Sequence, residues 1–268
     1  MNVGDALILG IVQGLTEFLP VSSSGHLVLG HHLLGMQEPD VFFDVVLHVG
    51  TLAAVFLFYR RELLGLCRAA LSFLGRPLPD PAHPLAAERR LLLYIFVATA
   101  PTGLIGVLFK DTFEAAFGSL VAVGAMLWTT AALLVTTRFT FRRAGTLTWR
   151  RALALGVVQG LAILPGLSRS GSTISAAMLG GVSAEEAMRF SFLMSIPAIL
   201  GAVTLKAADA DFAALSPAPF AVGLFVSAVV GYLALVVLAR AVKSGRLYLF
   251  SFWCGAAGAL ALYLALVG

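Results

Sequence analysis

The chain has 268 residues, of which 59% are hydrophobic and 12% are charged, with a mean hydropathy of +0.95. Because soluble domains carry roughly a quarter charged residues, this composition excludes an ordinary soluble domain and predicts an integral membrane protein. The net charge of +4 comes from arginines and lysines in loops between apolar runs, a topology pattern that argues against nucleic acid as a partner. The first nine residues contain Asp5 and no basic residue, so we expect no cleaved signal peptide.

The first half of the chain, residues 1–138, divides into five predicted helices. Residues 2–35 contain two short apolar pieces joined by a polar turn, which predicts a re-entrant pair because neither piece is long enough to span a bilayer. Three full-length spans are predicted at 41–59, 91–109 and 118–137. Between the first two spans, residues 60–90 are rich in arginine and proline and predict a loop with a short amphipathic start.

A basic linker at 139–151 leads into the second half, residues 152–268, which repeats the same order. A re-entrant pair is predicted at 152–181, followed by spans at 188–205, 219–239 and 247–267. Three crossings per half require the second half to run through the bilayer in the opposite direction. With residues 60–90 in the cytoplasm, 15 of the 18 lysines and arginines fall inside, as expected for this topology. The predicted fold is an all-α integral membrane protein with two inverted-topology repeats of five helices each, six spans and two re-entrant pairs.

A motif that occurs twice marks the start of each half. Residues 10–26 read GIVQGLTEFLPVSSSGH and residues 156–172 read GVVQGLAILPGLSRSGS. The motifs carry the ionisable residues Glu17, His26 and Arg169. Since an ionisable group at membrane depth costs on the order of 3 kcal/mol or more, such groups indicate a functional site. In an inverted topology the polar tips of the two re-entrant pairs meet near the middle of the membrane.

The polar residues of the two motifs suit a phosphate group. Arg169 can make paired charge-assisted hydrogen bonds to phosphoryl oxygens, and the serine-rich turns add hydroxyls and backbone N–H groups at helix starts. Any single serine is equally well explained as a helix cap. The candidate phosphate-binding residues are Ser22, Ser24, Gly25, Ser168, Ser170, Gly171 and Thr173.

Glu17 is the only acid in either motif, and two roles are open for it. It could bind a divalent cation that bridges to phosphate, with or without Gln13, or act as a general base. His26 could be a general acid or a nucleophile, and Ser23 is the alternative nucleophile. Asp44 and His48, one helical turn apart in the first long span, are candidates to line the same cavity, whereas His31 is interpreted as an interfacial or loop residue.

At these residues the chain resembles the undecaprenyl-diphosphate phosphatases of the bacitracin-resistance type. The family's first motif, E/Q-x-x-x-E followed by P-V-S-S-S/T-G-H, runs here from Gln13 to His26. The second, P-G-x-S-R-S-G-x-T, runs from Pro165 to Thr173. The resemblance implies hydrolysis of undecaprenyl diphosphate to undecaprenyl phosphate, which recycles a lipid carrier for cell-wall synthesis.

The same resemblance implies a multi-pass protein of the bacterial cytoplasmic membrane whose site faces the periplasm. It implies Mg²⁺ or Ca²⁺ as cofactor and a catalytic group of Glu17, Ser23, His26 and Arg169. Many family members have Glu where this chain has Gln13, so a site with two carboxylates is in doubt here.

A transporter or flippase for polyprenyl phosphate lipids is the competing hypothesis. Inverted repeats with broken helices at the middle of the membrane also describe carriers that work by alternating access. A carrier needs no nucleophile, so the presence of Glu17 and His26 favours an enzyme. The sequence leaves open which group is the nucleophile and whether the protein acts as a homodimer.

Overall fold

The computed structural model describes residues 2–33, 41–73, 85–141, 144–208 and 217–267. These residues form helices and turns, with an isolated parallel bridge between Gly145 and Val182. The helices are α1 Val3–Phe18, α2 Ser23–Leu33, α3 Val41–Phe58, α4 Arg60–Phe73, α5 Ala86–Leu108, α6 Lys110–Phe117, α7 Leu120–Thr140, α8 Trp149–Leu161, α9 Arg169–Leu179, α10 Ala184–Ala208, α11 Pro217–Lys243 and α12 Phe250–Val267. The end of the predicted first re-entrant pair at 34–35, the proline-rich residues 74–84, and Arg142 and Arg143 lie outside this description.

The helix lengths confirm an all-α, multi-pass membrane protein among the described residues. Five segments are long and apolar enough to cross a bilayer, namely Ala86–Leu108, Leu120–Thr140, Ala184–Thr204, Pro217–Lys243 and Leu247–Val267. A sixth is present if α3 and α4, which meet at a bend of 84°, are taken together. The helices α1, α2, α8 and α9 have 11 to 16 residues, and at 1.5 Å per residue they fall short of a bilayer core of about 30 Å.

The amphipathic start predicted for the 60–90 segment is α4, a helix of 14 residues, whereas the loop predicted at the end of this segment was wrong, because α5 begins at Ala86. Leu66 and Ala69 are buried one turn apart, so this arginine-bearing segment has an apolar face that favours a helix. Arg89 of α5 binds the C-terminal end of α4, since its Nε donates a hydrogen bond of 2.6 Å to Ser72 Oγ. The same guanidinium lies 4.7 Å from the centre of the Phe73 ring.

Glycines allow the two short motif helices to pack directly on long spans. Helix α1 packs on α11, and α8 packs on α5. A Cβ atom at Gly14 would lie 2.8 Å from Cβ of Val230, and one at Gly160 would lie 2.8 Å from Cδ1 of Ile105. Small residues bring helix backbones together in this way in membrane proteins. Each motif helix therefore packs inside the bundle through the glycine of the Gln-Gly pair in its own motif.

The close α1–α11 contact generates a stability prediction. We expect Gly14→Leu to destabilise the protein by about 1–3 kcal/mol or more, because the new side chain must push α1 away from α11. Gly103→Leu is the matched control, since nothing lies within 4 Å of a Cβ at Gly103. Thermal unfolding in detergent would measure both variants. Equal melting temperatures for the two would contradict the packing described here.

Candidate active site

Glu17, on the last turn of α1, is the residue on which the two motifs converge. Its side chain is buried, and both of its carboxylate oxygens accept hydrogen bonds. Ser23 Oγ donates to Oε2 at 2.6 Å, and Gln13 Nε2 donates to the same oxygen at 3.1 Å. Arg169 Nη2 donates to Oε1 at 2.5 Å. The structure therefore brings Gln13, Glu17, Ser23 and Arg169 into one cluster.

The first serine-rich turn has an unusual backbone at Ser22. Its φ angle of +69° lies in the left-handed region, which is unfavourable for a residue other than glycine. The Ser22 hydroxyl accepts the N–H of Gly25 at 3.3 Å and lies 3.3 Å from Ser24 Oγ. Its carbonyl accepts the N–H of His26 at 3.1 Å. This turn starts α2 and aims Ser23 back at Glu17.

The second serine-rich turn makes corresponding hydrogen bonds. Ser168 Oγ accepts the N–H of Gly171 at 3.1 Å and lies 3.3 Å from Ser170 Oγ. The Ser168 carbonyl accepts the N–H of Ser172 at 2.8 Å. Arg169 thus holds the position in this turn that Ser23 holds in the first.

The two turns touch each other at their glycines. A Cβ atom at Gly25 would lie 3.1 Å from Cα of Gly166, and one at Gly171 would lie 3.3 Å from Cβ of Pro20. Ser170 Oγ also donates to the carbonyl of Leu19 at 3.4 Å. The backbones approach closely because no side chain intervenes. This contact between the two turns places Arg169 next to Glu17.

Thr173, predicted to bind phosphate, has its hydroxyl engaged within the protein. Thr173 Oγ1 donates to the Arg169 carbonyl at 2.7 Å and lies 2.6 Å from Ser191 Oγ on α10. The Thr173 side chain is fully buried. In this structure it joins α9 to α10 behind the motif turn.

His26 faces α12 through Trp253, a contact that the sequence analysis missed. The Nδ1 atom of His26 lies 2.8 Å from the Ser22 carbonyl, which assigns the ring proton to Nδ1 because a carbonyl can only accept. Its Nε2 atom therefore carries a lone pair, and it accepts a hydrogen bond of 2.8 Å from Nε1 of Trp253. These residues are 227 positions apart. No signal in the sequence joins them.

Two further residues that the sequence analysis missed hold the motif turns. Thr130 on α7 accepts the backbone N–H of Ser168 at 2.9 Å and donates to the Gly166 carbonyl at 3.0 Å. Cys254 on α12 donates to the Pro20 carbonyl at 3.4 Å. Each turn is thus bound by a side chain from a membrane-spanning helix of the other half.

Of the two candidates on α3, His48 comes near the cluster. His48 Nε2 lies 3.7 Å from Glu17 Oε2, and its Nδ1 lies 2.7 Å from the carbonyl of Asp44. The Asp44 carboxylate lies 3.5 Å from Nε2 of His31. His31 is only 5% exposed and lies in α2, so the alternative that placed this residue in a loop was wrong.

Several buried polar atoms of the two motifs have no hydrogen-bond partner within the described part of the chain. They are Nη1 of Arg169, Oε1 of Gln13 and Oγ of Ser172. Buried donors and acceptors are nearly always paired in native proteins, so such atoms are candidates to bind water, an ion or a ligand. An anion suits the Arg169 and Ser172 donors, and a cation suits the Gln13 oxygen.

The guanidinium of Arg169 lies over one of two buried phenylalanine rings. Its guanidinium carbon lies 5.9 Å from the centre of the Phe192 ring, which packs edge-on against Phe18 at 5.6 Å. Phe18 and Phe192 are fully buried. This apolar surrounding lowers the local dielectric and strengthens the attraction between the guanidinium and an anion.

Comparison with known proteins shows the family to which the chain belongs. Residues 6–260 match the family described as Bacitracin resistance protein BacA. The chain belongs to this family. A relative named undecaprenyl-diphosphatase from Desulfatibacillum aliphaticivorans is 46% identical over 268 residues, covering 96% of this chain and 97% of the relative. Relatives with the same name from Desulfosudis oleivorans and Korarchaeum cryptofilum are 45% and 41% identical, covering 97% and 95% of this chain and 97% and 96% of the relatives.

In this BacA family member, the pair of Glu17 and Arg169 generates a second stability prediction. We expect Arg169→Met to cost about 3–5 kcal/mol, because it leaves the buried carboxylate without its cation. Adding Glu17→Gln should restore at least half of that loss, since the charge that needs a partner is removed as well. Thermal unfolding of the two single variants and the double variant in detergent measures this coupling. Strictly additive losses would contradict a direct pair.

Proposed function

We propose that this chain hydrolyses undecaprenyl diphosphate to undecaprenyl phosphate and inorganic phosphate. Membership of the BacA family and full-length relatives named undecaprenyl-diphosphatase support this activity. The observation that carries the proposal is the hydroxyl of Ser23 held 2.6 Å from the Glu17 carboxylate, which is itself paired with Arg169. A hydroxyl, a base and a cation side by side are the groups that phosphoryl transfer needs.

The diphosphate group fits the free donors of the cluster. Arg169 keeps Nη1 unpaired and buried while its Nη2 is held by Glu17, so one edge of the guanidinium is oriented and the other is available. The N-terminal ends of α2 and α9 lie in the two contacting turns, and their backbone dipoles favour an anion. A polyprenyl tail would stay in the lipid while its diphosphate reaches this polar cluster.

We assign the first step to Ser23 and Glu17. Glu17 Oε2 accepts the proton of the Ser23 hydroxyl as its oxygen attacks the terminal phosphorus. The bond from that phosphorus to the bridging oxygen breaks, and undecaprenyl phosphate leaves. Arg169 offsets the negative charge on the phosphoryl group that is transferred.

In the second step, water attacks the phosphoserine. The bond from Ser23 Oγ to phosphorus breaks, Oγ recovers its proton from Glu17, and inorganic phosphate is released. The water gives its proton to His26, whose Nε2 carries a lone pair. This lone pair fits a base or nucleophile better than a general acid.

The residues at the cluster fit a divalent cation. Glu17 supplies a carboxylate, and the buried Gln13 Oε1 supplies an unpaired oxygen next to it. Mg²⁺ and Ca²⁺ prefer such oxygen ligands, and Mg²⁺ usually takes its remaining ligands from phosphate and water. Among the described residues no group of three or more His, Cys, Asp or Glu side chains could hold a metal ion, so a cation here would need further ligands from the substrate phosphate and water. The cation would neutralise phosphate charge.

We further propose that the chain is two inverted repeats of five helices, divided at the 139–151 linker, in the bacterial cytoplasmic membrane. The matching hydrogen bonds of the two turns support the repeat. The reciprocal packing of α1 on α11 and α8 on α5 supports it as well. The positive charges of the 60–90 and 139–151 segments favour a cytoplasmic location for both, and a site open toward the periplasm.

Phosphate release from farnesyl or undecaprenyl diphosphate by purified protein tests the assigned chemistry. We expect Ser23→Ala to lower kcat by about 10²–10⁴-fold, because both the attacking oxygen and the proton that Glu17 accepts are lost. Ser244→Ala, at an exposed hydroxyl that donates to the Ala241 carbonyl, is the control and should keep wild-type activity. Full activity in Ser23→Ala would remove Ser23 from the mechanism. A folded wild type that binds the lipid diphosphate without releasing phosphate would support a carrier instead.

Removal of divalent cations tests the role of Glu17 and Gln13. We expect EDTA to abolish phosphate release and Mg²⁺ to restore it. We expect Gln13→Glu to lower the Mg²⁺ concentration for half-maximal activity by about tenfold, because it adds a second carboxylate ligand. Activity that persists in EDTA, with bound metal excluded by elemental analysis, would contradict the cation proposal.

A further inference from the structure

Trp253 contacts the one atom of His26 that can take part in chemistry. The indole Nε1 donates to His26 Nε2 at 2.8 Å, and the two ring planes differ by only 11°. The other ring nitrogen of His26 is already bound to the Ser22 carbonyl at 2.8 Å. Both nitrogens are thus occupied, and the lone pair on Nε2 is covered by the indole N–H.

The hydrogen bond to Ser22 fixes the histidine ring without help from the indole. It comes from the residue one helical turn away on the same chain segment, and it sets both the tautomer and the orientation of the ring. The bond from Trp253 therefore adds little to orientation. Its main physical effect is to cover Nε2.

The α12 backbone is held beside the first turn, while the Trp253 indole lies largely at the surface of the helix bundle. Cys254, the next residue, is fully buried and bonded to the Pro20 carbonyl. Trp253 in contrast is 59% exposed, on a helix that is long and apolar enough to cross a membrane. A change of side-chain rotamer can therefore uncover His26 while α12 stays in place.

We infer that Trp253 masks Nε2 of His26 until the lipid diphosphate displaces the indole. The inference rests on the proposed function, in which His26 accepts a proton during phosphate release. A lipid diphosphate that arrives from the bilayer side meets the exposed indole before it meets His26. Apparent affinity is then reduced by the fraction of molecules that are masked.

Chemical modification tests the mask without any need for activity. Diethyl pyrocarbonate acylates an uncovered, unprotonated imidazole nitrogen, and peptide mass spectrometry reads the rate at His26 separately from the other four histidines. We expect Trp253→Phe, which keeps a ring and loses the N–H, to raise the His26 rate by about three- to tenfold, the value of one hydrogen bond. Trp253→Leu, which removes the ring, should raise it at least as much.

Trp128→Phe is the matched control. Trp128 is 51% exposed and donates its indole N–H to the Gly255 carbonyl on α12 at 3.2 Å, so this variant also loses a hydrogen bond to that helix. It should leave the His26 rate unchanged. An unchanged rate in both Trp253 variants, or an equal rise in the Trp128 variant, would overturn the mask.

Steady-state kinetics with farnesyl diphosphate separate masking from a structural role. We expect Trp253→Phe to lower KM by about three- to tenfold and to keep kcat within about twofold, because substrate no longer has to displace a bound indole. A higher KM or a collapse of kcat would overturn the inference. If the wild type releases no phosphate, the proposed function fails, and the modification rates still decide whether Trp253 covers His26.

Discussion

The architecture depends on one constraint, which is that the buried carboxylate of Glu17 needs a cation inside an apolar protein. An unpaired carboxylate at such a position would cost several kcal/mol, and Arg169, 152 positions later in the chain, supplies the charge. To bring the two together, both motif helices must stop short, and both turns must touch through glycines. The left-handed backbone of Ser22 serves the same end, because it makes α2 begin at the point where the Ser23 hydroxyl reaches the Glu17 carboxylate.

The two serine-rich turns make the same hydrogen bonds but present different side chains to Glu17. At equivalent positions the first turn places a hydroxyl on Glu17 and the second places a guanidinium on it. The glutamines of the motifs differ in the same way. Gln13 bonds to Glu17, whereas Nε2 of Gln159 donates to Thr102 and to the Met194 carbonyl and so serves packing. In the proposed mechanism the first motif thus holds the reacting groups, and the second holds the positive charge and the packing contacts.

Trp253 lies between the polar cluster and the outer surface of the helix bundle. Its indole is 59% exposed and donates a hydrogen bond to His26, while Glu17 is buried next to Phe18, whose ring packs against Phe192. This layout suits a substrate whose tail never leaves the bilayer.

The sequence by itself determined the membrane class, the short paired helices, and the motif residues that gather at Glu17. These follow from local properties, namely the length of apolar runs, the cost of ionisable groups among them, and the repetition of a motif. Only the tertiary structure decided that Trp253 covers His26, that Thr130 and Cys254 bind the two turns, and that Arg89 binds the end of α4. Each of these depends on side chains from helices distant in sequence. Such contacts leave no period or spacing in the chain, because packing alone selects which faces of the long helices meet.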